Sequence, residues 1–108
     1  MSEFTDMIGQ SKPTLVDFFA TWCGPCKMQS PILEEVKQFV GEKANVVKVD
    51  IDRNQELAMH YRVQSVPTLI LFKNGDPVWR TVGLQQRDTL IKKIEEYEAT
   101  KSDEEFNK

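Results

Sequence analysis

Two cysteines three positions apart are the residues of this chain best suited to chemistry. Cys23 and Cys26 are the only cysteines among its 108 residues, and they can close a small disulfide ring if the chain between them turns into a helix. The apolar segment 15–20 before them is typical of a buried strand, and a helical pattern follows. Unpaired N–H groups and the dipole at a helix start favour thiolate over thiol. The pattern therefore predicts a redox pair with activated sulfur.

Another interpretation of the cysteine pair is one half of a zinc or iron site. Such a site usually needs four ligands, and His60 is the only histidine that could join the two cysteines. Pro25, which stands between the cysteines, also argues against metal binding. We therefore expect no metal ligands here, and we interpret His60 as a residue on the surface of a helix.

Composition limits the other functions of the chain. The length suits a single domain, and the formal net charge of −3, with scattered lysines, gives no support to nucleic-acid binding. No apolar run approaches the ~20 residues that span a bilayer. The first residues show no pattern of a secretory signal. Together with the absence of a scaffold of structural disulfides, this predicts a cytoplasmic protein.

Helices and strands are expected to alternate in the order α-β-α-β-α-β-β-α. The long second helix begins at the cysteines and ends at Gly41, with Met28, Ile32, Val36 and Phe39 predicted to face the core. The predicted strands are 14–20, 45–51, Thr68–Lys73 and Asp76–Val82, with an Asn74-Gly75 hairpin turn, and the other predicted helices are 2–8, 57–61 and 86–98.

The domain is predicted to span residues 1–99. Residues 100–108 are polar and have no periodic apolar face, so we expect a disordered tail.

The chain resembles the thioredoxins from about residue 4 to about residue 97. The resemblance implies the thioredoxin fold, an α/β architecture with a central mixed four-stranded sheet flanked by helices. Thioredoxins commonly begin with an extra strand, which this chain is predicted to lack. The strand 45–51 would then be a sheet edge, covered by irregular chain or by a weak intermolecular contact. The motifs that carry the resemblance are Val16-Asp17-Phe18, Trp22-Cys23-Gly24-Pro25-Cys26-Lys27-Met28, Val66-Pro67-Thr68, Phe72-Lys73-Asn74-Gly75 and Val82-Gly83.

The two sulfurs are expected to have different roles. Cys23 lies at the helix start, where it should be exposed to solvent, and it is predicted to attack a substrate disulfide. Cys26 lies one turn deeper and is predicted to resolve the mixed disulfide. The resemblance implies that Asp17 is a buried acid that takes the proton from Cys26, with a pKa raised by burial. The alternative is that Asp17 reaches solvent at the edge of its strand.

The resemblance also implies residues that tune the redox pair. Lys48 should lie near Asp17 and act on it electrostatically, unless it is an ordinary surface lysine. Pro67 should follow a cis peptide bond and face the cysteines, where it would keep metal ligands away; the alternative is a trans proline that starts a strand. Gly24 and Pro25, inside the cysteine ring, complete this set.

An apolar rim around Cys23 is expected to bind substrate. The backbone of Val66 can add a substrate peptide like a further strand, and Gly83 lets a peptide backbone pass closely. The role of Leu84 could instead be a helix-capping contact. Trp79 is expected only to pack across strands. The predicted substrate-binding set is Trp22, Val66, Pro67, Gly83 and Leu84, with Pro25 beside them.

The predicted function is that of a disulfide reductase. Thioredoxins are recharged by a thioredoxin reductase that uses FAD and NADPH, so this chain should bind no cofactor itself. We expect disulfide-bearing protein substrates and a monomer. One rival is an oxidase or isomerase on the same fold, although such enzymes tend to carry a polar residue rather than Pro25 between their cysteines. The other is a non-enzymatic docking subunit, which the presence of both cysteines disfavours.

Overall fold

A computed structural model describes residues 2–98 of the chain, and its elements follow the predicted order. The observed boundaries lie within about two residues of the predicted ones. Met1 and residues 99–108 lie outside the described residues, and the predicted tail falls among them. The elements are α1 Ser2–Ile8, β1 Thr14–Phe19, α2 Gly24–Val40, a 3₁₀ turn at Gly41–Lys43, β2 Asn45–Asp50, α3 Gln55–His60, β3 Thr68–Lys73, β4 Asp76–Val82 and α4 Arg87–Glu96.

The four strands form one mixed sheet in the order β2-β1-β3-β4. β1 pairs in parallel with β2 and antiparallel with β3, while β3 and β4 form an antiparallel hairpin. Asn74 and Gly75 both have positive φ angles, of 54° and 86°, as a tight two-residue hairpin turn requires. Consequently the predicted hairpin is confirmed.

Each face of the sheet carries its own hydrophobic cluster. Side chains alternate along a strand, so Leu15 of β1 packs with α2 and α4, whereas Val16 and Phe18 pack on the opposite face with α1 and α3. Asp17 is two residues after Leu15 in β1, so its side chain lies on the same face of the sheet, the face that α2 covers. The sheet therefore separates the α2 side, where the cysteines lie, from the α1 side.

The predicted inward face of α2 was partly wrong. Met28 and Phe39 are exposed, at 61% and 57% of their surface, whereas Val36 is fully buried as predicted and Ile32 is partly buried against the cluster. A different face of the helix packs against the sheet. The exposed Phe39 ring is contacted by the Arg87 guanidinium, whose central carbon lies 5.1 Å from the ring centre. The buried stripe consists of Cys26, Gln29, Leu33, Val36 and Val40, which follow the three- and four-residue spacing of one helix face.

β2 lies at an edge of the sheet, as predicted. Within residues 2–98 no strand precedes α1, which is helical from Ser2 onward. The nature of the cover on the outer side of β2 stays a prediction. Lys48, near the middle of this strand, is exposed, and a lysine on an edge strand disfavours pairing with another chain.

Candidate active site

The redox pair forms the first turn of α2. Cys23 is the N-cap of the helix with an extended backbone, and Pro25 lies in the first helical turn, where a missing N–H costs little. The two cysteines are joined in a disulfide with their Cα atoms 5.3 Å apart. The Cys26 N–H donates to Cys23 Sγ at 3.2 Å, so the sulfur of Cys23 takes the place that a serine or aspartate oxygen usually takes at a helix cap.

The expectation that Cys23 is the more exposed cysteine was wrong for the disulfide form. Cys23 is 4% exposed and Cys26 is 3% exposed, so exposure does not distinguish them. The reason is long-range packing, because Val66 packs against the cysteine cluster and its carbonyl oxygen lies 3.7 Å from Cys23 Sγ. The loop before β3 thus covers a helix start that would otherwise face solvent.

Pro67 shows one of the two features that the resemblance implied, the cis bond, while its position facing the cysteines stays a prediction. The Val66–Pro67 peptide bond is cis, and Pro67 is buried at the entrance to β3. Its carbonyl oxygen accepts a 2.8 Å hydrogen bond from the Gly83 N–H. This bond joins the loop that covers Cys23 to the end of β4.

Asp17 is a fully buried carboxyl group in the middle of β1, so the alternative of a solvent-exposed acid was wrong. Of the buried polar side chains among the described residues, only Asp17 has oxygens without a hydrogen-bond partner. Burial penalises the charged form and raises the pKa of Asp17 from 3.8 to about 6, although the charge of Lys48 acts in the opposite direction. A carboxyl group with such a pKa can accept and release a proton near neutral pH.

Lys48 combines the two alternatives that the sequence left open. It is exposed, with Nζ donating to Ser30 Oγ at 2.9 Å and lying 4.5 Å from the centre of the Phe19 ring. It is also the register partner of Asp17 across β1 and β2, and its charge lowers the pKa of that carboxyl group. Lys48 is therefore a surface lysine whose positive charge lowers the pKa of the buried Asp17.

We predict that Lys48→Met raises the pKa of Asp17 above about 6, because removing a nearby cation disfavours the carboxylate. The measurement is a ¹³C NMR titration of the Asp17 carboxyl carbon. Lys37→Met is the matched control, since Lys37 is an exposed lysine of α2 and should leave the titration unchanged. An Asp17 pKa that stays the same in Lys48→Met would contradict the electrostatic link.

The predicted apolar rim differs in exposure from residue to residue. Trp22 is 69% exposed, yet its indole Nε1 donates to Asp52 Oδ2 at 3.0 Å, which fixes the ring beside Cys23. Gly83 has a φ of 94°, a conformation that favours glycine, and no atom would contact an added Cβ. The space beside Gly83 is therefore open to a peptide backbone. Leu84 and Val66 are half-buried.

Three residues outside the predicted set form hydrogen bonds either beside the site or in the segment that leads to Pro67. Asp52 holds Trp22, Gln29 bonds to the main chain of Gln85, and Arg80 donates to the carbonyl oxygens of Tyr61 and Arg62 ahead of Pro67. The sequence analysis missed Gln29 because it predicted an inward face of α2 that did not include this residue. The others depend on loop positions that a sequence pattern does not specify.

Trp79 packs against the cluster on the α2 side of the sheet, as predicted. Among residues 2–98, no three His, Cys, Asp or Glu side chains are placed to hold a metal ion. None of the helices in this range is both long and apolar enough to cross a bilayer.

The comparisons with known proteins agree with this geometry. The family model described as thioredoxin matches residues 1–96. This chain belongs to the thioredoxin family. A thioredoxin of Staphylococcus saprophyticus is 50% identical over 96 residues, which are 89% of this chain and 91% of that protein. A solved structure of a mutant thioredoxin from Halobacterium salinarum is 42% identical with a TM-score of 0.84, covering 93% of this chain and 87% of the other.

A further relative combines two activities in its name. The bifunctional thioredoxin reductase/thioredoxin of Mycobacterium leprae is 46% identical over 93 residues, which are 86% of this chain and 20% of that protein. For the present member of the thioredoxin family, the predicted fold of a mixed four-stranded sheet flanked by helices is confirmed. The protein is a thioredoxin-like protein-disulfide reductase that contains a Cys23–Cys26 redox pair.

Proposed function

We propose that Cys23 is the attacking sulfur in the reduction of protein disulfides and that Cys26 resolves the product. The observation that carries this assignment is the hydrogen bond from the Cys26 N–H to Cys23 Sγ at the N-cap of α2. In the reduced protein the same N–H and the helix dipole stabilise a thiolate on Cys23 more than on Cys26. The thiolate is the form that attacks a disulfide.

The exchange conserves thiols and disulfides at each step. The Cys23 thiolate attacks one sulfur of the substrate disulfide, forms a mixed disulfide and releases the other substrate sulfur as a thiolate. Cys26 then loses its proton, for which Asp17 is the proposed acceptor, and attacks the Cys23 sulfur. This step releases the second substrate thiol and leaves the Cys23–Cys26 disulfide. Lys48, Gly24, Pro25 and Pro67 are the proposed tuning residues around this pair.

Substrate is proposed to bind along the rim of Trp22, Val66, Pro67, Gly83 and Leu84. The half-buried Val66 beside Cys23 and the open space at Gly83 suit an extended peptide segment that runs between them. An added strand of this kind is a common mode of peptide recognition.

The proposed electron donor is a thioredoxin reductase, supported by the relative that joins both activities in one chain. FAD and NADPH would then act only through that partner. A cytoplasmic location is proposed because both cysteines of the chain belong to the redox pair, which a reducing compartment keeps available. The exposed Lys48 on the edge strand supports a monomer, and residues 1–99 are proposed as the domain, with 100–108 as its tail.

Insulin reduction tests this function. With dithiothreitol as reductant, the protein should accelerate precipitation of the insulin B chain at least about tenfold over dithiothreitol alone, since a preorganised thiolate outcompetes a free thiol. A second arm replaces dithiothreitol with NADPH and purified bacterial thioredoxin reductase, which tests the proposed partner. The double variant Cys23→Ser/Cys26→Ser is the control. If the protein accelerates precipitation in neither arm, the reductase assignment is contradicted. If it oxidises a dithiol peptide but does not reduce insulin, an oxidase is favoured.

A further inference from the structure

Gln29 is a fully buried polar residue of α2, three positions after Cys26. Its side-chain amide contacts both main-chain groups of one distant residue. Nε2 donates to the Gln85 carbonyl oxygen at 3.0 Å, and Oε1 accepts from the Gln85 N–H at 2.7 Å. This contact therefore gives each of the two polar atoms of the buried side chain a hydrogen-bond partner.

The Gln29 contact continues as a series of hydrogen bonds toward the redox pair. The side chain of Gln85 donates to the Gly83 carbonyl oxygen at 3.3 Å, and the Gly83 N–H donates to the Pro67 carbonyl oxygen at 2.8 Å. Pro67 follows Val66, whose carbonyl oxygen lies 3.7 Å from Cys23 Sγ. The segment 83–86 is thus connected to α2 on one side and to the loop beside Cys23 on the other.

We propose that Gln29 is a positioning residue that holds the Gly83–Leu84 side of the substrate rim at a fixed distance from Cys23. The proposal rests on the proposed binding of protein substrates along that rim. Segment 83–86 connects β4 to α4 and has no regular secondary structure. A two-point contact to the N–H and the C=O of one residue restrains both its position and its orientation, as bidentate contacts do. Without it, a bound peptide would have to order the segment itself, which weakens binding.

This role predicts selectivity between two kinds of substrate. A small aromatic disulfide can reach Cys23 without contacting Gly83 or Leu84, so its rate should not depend on Gln29. A folded or extended protein substrate needs the rim, and its KM should depend on Gln29 while kcat does not. A role for Gln29 confined to the stability of the domain or to the redox pair would affect both substrates alike.

The test compares Gln29→Met with Gln38→Met. Methionine keeps the approximate length of glutamine but removes both hydrogen bonds, and Gln38 is an exposed glutamine of the same helix. We expect Gln29→Met to raise the KM for insulin by about fivefold, in line with the loss of a pair of hydrogen bonds. The kcat for insulin and the rate with 5,5′-dithiobis(2-nitrobenzoate) should stay within about twofold of the original protein. Gln38→Met should leave all three unchanged.

Amide hydrogen exchange at Gln85 provides a substrate-free measurement of the same contact. Its N–H should be protected in the original protein and lose protection in Gln29→Met. Gln85→Ala, which removes the bond to Gly83 but keeps the main chain, is a milder variant that should raise the insulin KM by a smaller factor. An unchanged insulin KM in both variants, or an equal loss with both substrates, would overturn the proposal. Protection at Gln85 without insulin reduction by the original protein would count against the proposed function alone.

Discussion

Cys26→Ser is expected to accumulate covalent complexes with a disulfide-bearing protein, whereas Cys23→Ser should form far fewer and be inactive. Attack by Cys23 produces a mixed disulfide, and no thiol other than that of Cys26 exists in the chain to resolve it. With serine at position 26, the complex should therefore persist until an external thiol is added. Either substitution should lower insulin reduction by more than about a hundredfold, because the catalytic cycle needs both sulfurs.

The difference between the two variants depends on the N-cap geometry. In the disulfide form the exposed fractions of Cys23 and Cys26 are nearly equal, at 4% and 3%, so exposure in this form does not distinguish the two sulfurs. The N–H of Cys26 points at Cys23 Sγ, and that donor remains in Cys26→Ser because it belongs to the main chain. The trapping variant thus keeps the group that stabilises the Cys23 thiolate.

Non-reducing gels provide the measurement for this prediction. Each variant is mixed with a disulfide-bearing protein substrate, quenched with an alkylating reagent and run with and without dithiothreitol. The expected band for Cys26→Ser is a complex of the summed mass that disappears on reduction, and the double variant Cys23→Ser/Cys26→Ser should give none. If Cys23→Ser is the better trap, the assignment of nucleophile and resolving thiol is reversed.

The sequence predicted the elements of the site better than their contacts. Residue types and local spacing were enough to place Cys23 at a helix start and Asp17 inside a buried strand, because both inferences need only neighbouring residues. The inward face of α2 was harder to predict, since Met28, Ile32, Val36 and Phe39 follow three- and four-residue spacings just as the buried residues do. The buried face was not recognised because it contains Gln29, and a polar residue is unusual in a core.

Contacts between segments that are distant in the chain could not be predicted from the sequence. Cys23 was expected to face solvent because the first turn of an isolated helix does so, yet Val66, more than forty positions later, packs over it. The bond between Trp22 and Asp52 likewise joins two loops. Such contacts depend on where the sheet brings each loop, which neither periodicity nor turn chemistry determines.

Asp17→Asn is expected to stabilise the folded protein at pH 7. The substitution keeps the shape of the side chain and removes a buried charge that has no hydrogen-bond partner among the described residues. The pKa of Asp17 is about 6 in the folded protein against 3.8 for an unperturbed group. At about 1.4 kcal/mol per pH unit, this difference corresponds to about 3 kcal/mol, an upper bound on the gain in the free energy of unfolding.

The pH dependence of this gain has a definite sign. Between pH 3.8 and about 6, the folded state holds a proton on Asp17 that the unfolded state has lost, so the stability of the original protein falls as pH rises. The advantage of Asp17→Asn should therefore be small at pH 4, grow through this window and become constant above about pH 7. Urea unfolding at several pH values measures it. Asp76→Asn, at an exposed aspartate of β4, should show no such growth.

Asp17→Asn should also lower turnover, in spite of its greater stability. Above a pKa of about 6 the Asp17 carboxyl group is mainly ionised and can accept the Cys26 proton, whereas an asparagine cannot. We expect insulin reduction at pH 7 to fall about tenfold, less than the ~100-fold lower end of general-base effects, because water can also carry the proton away. The original protein should lose activity as Asp17 protonates below about pH 6, and the variant should lack that inflection. A more stable variant with unchanged turnover from pH 6 to 8 would leave Asp17 without a role as base, because the stability gain shows only that the charge is buried.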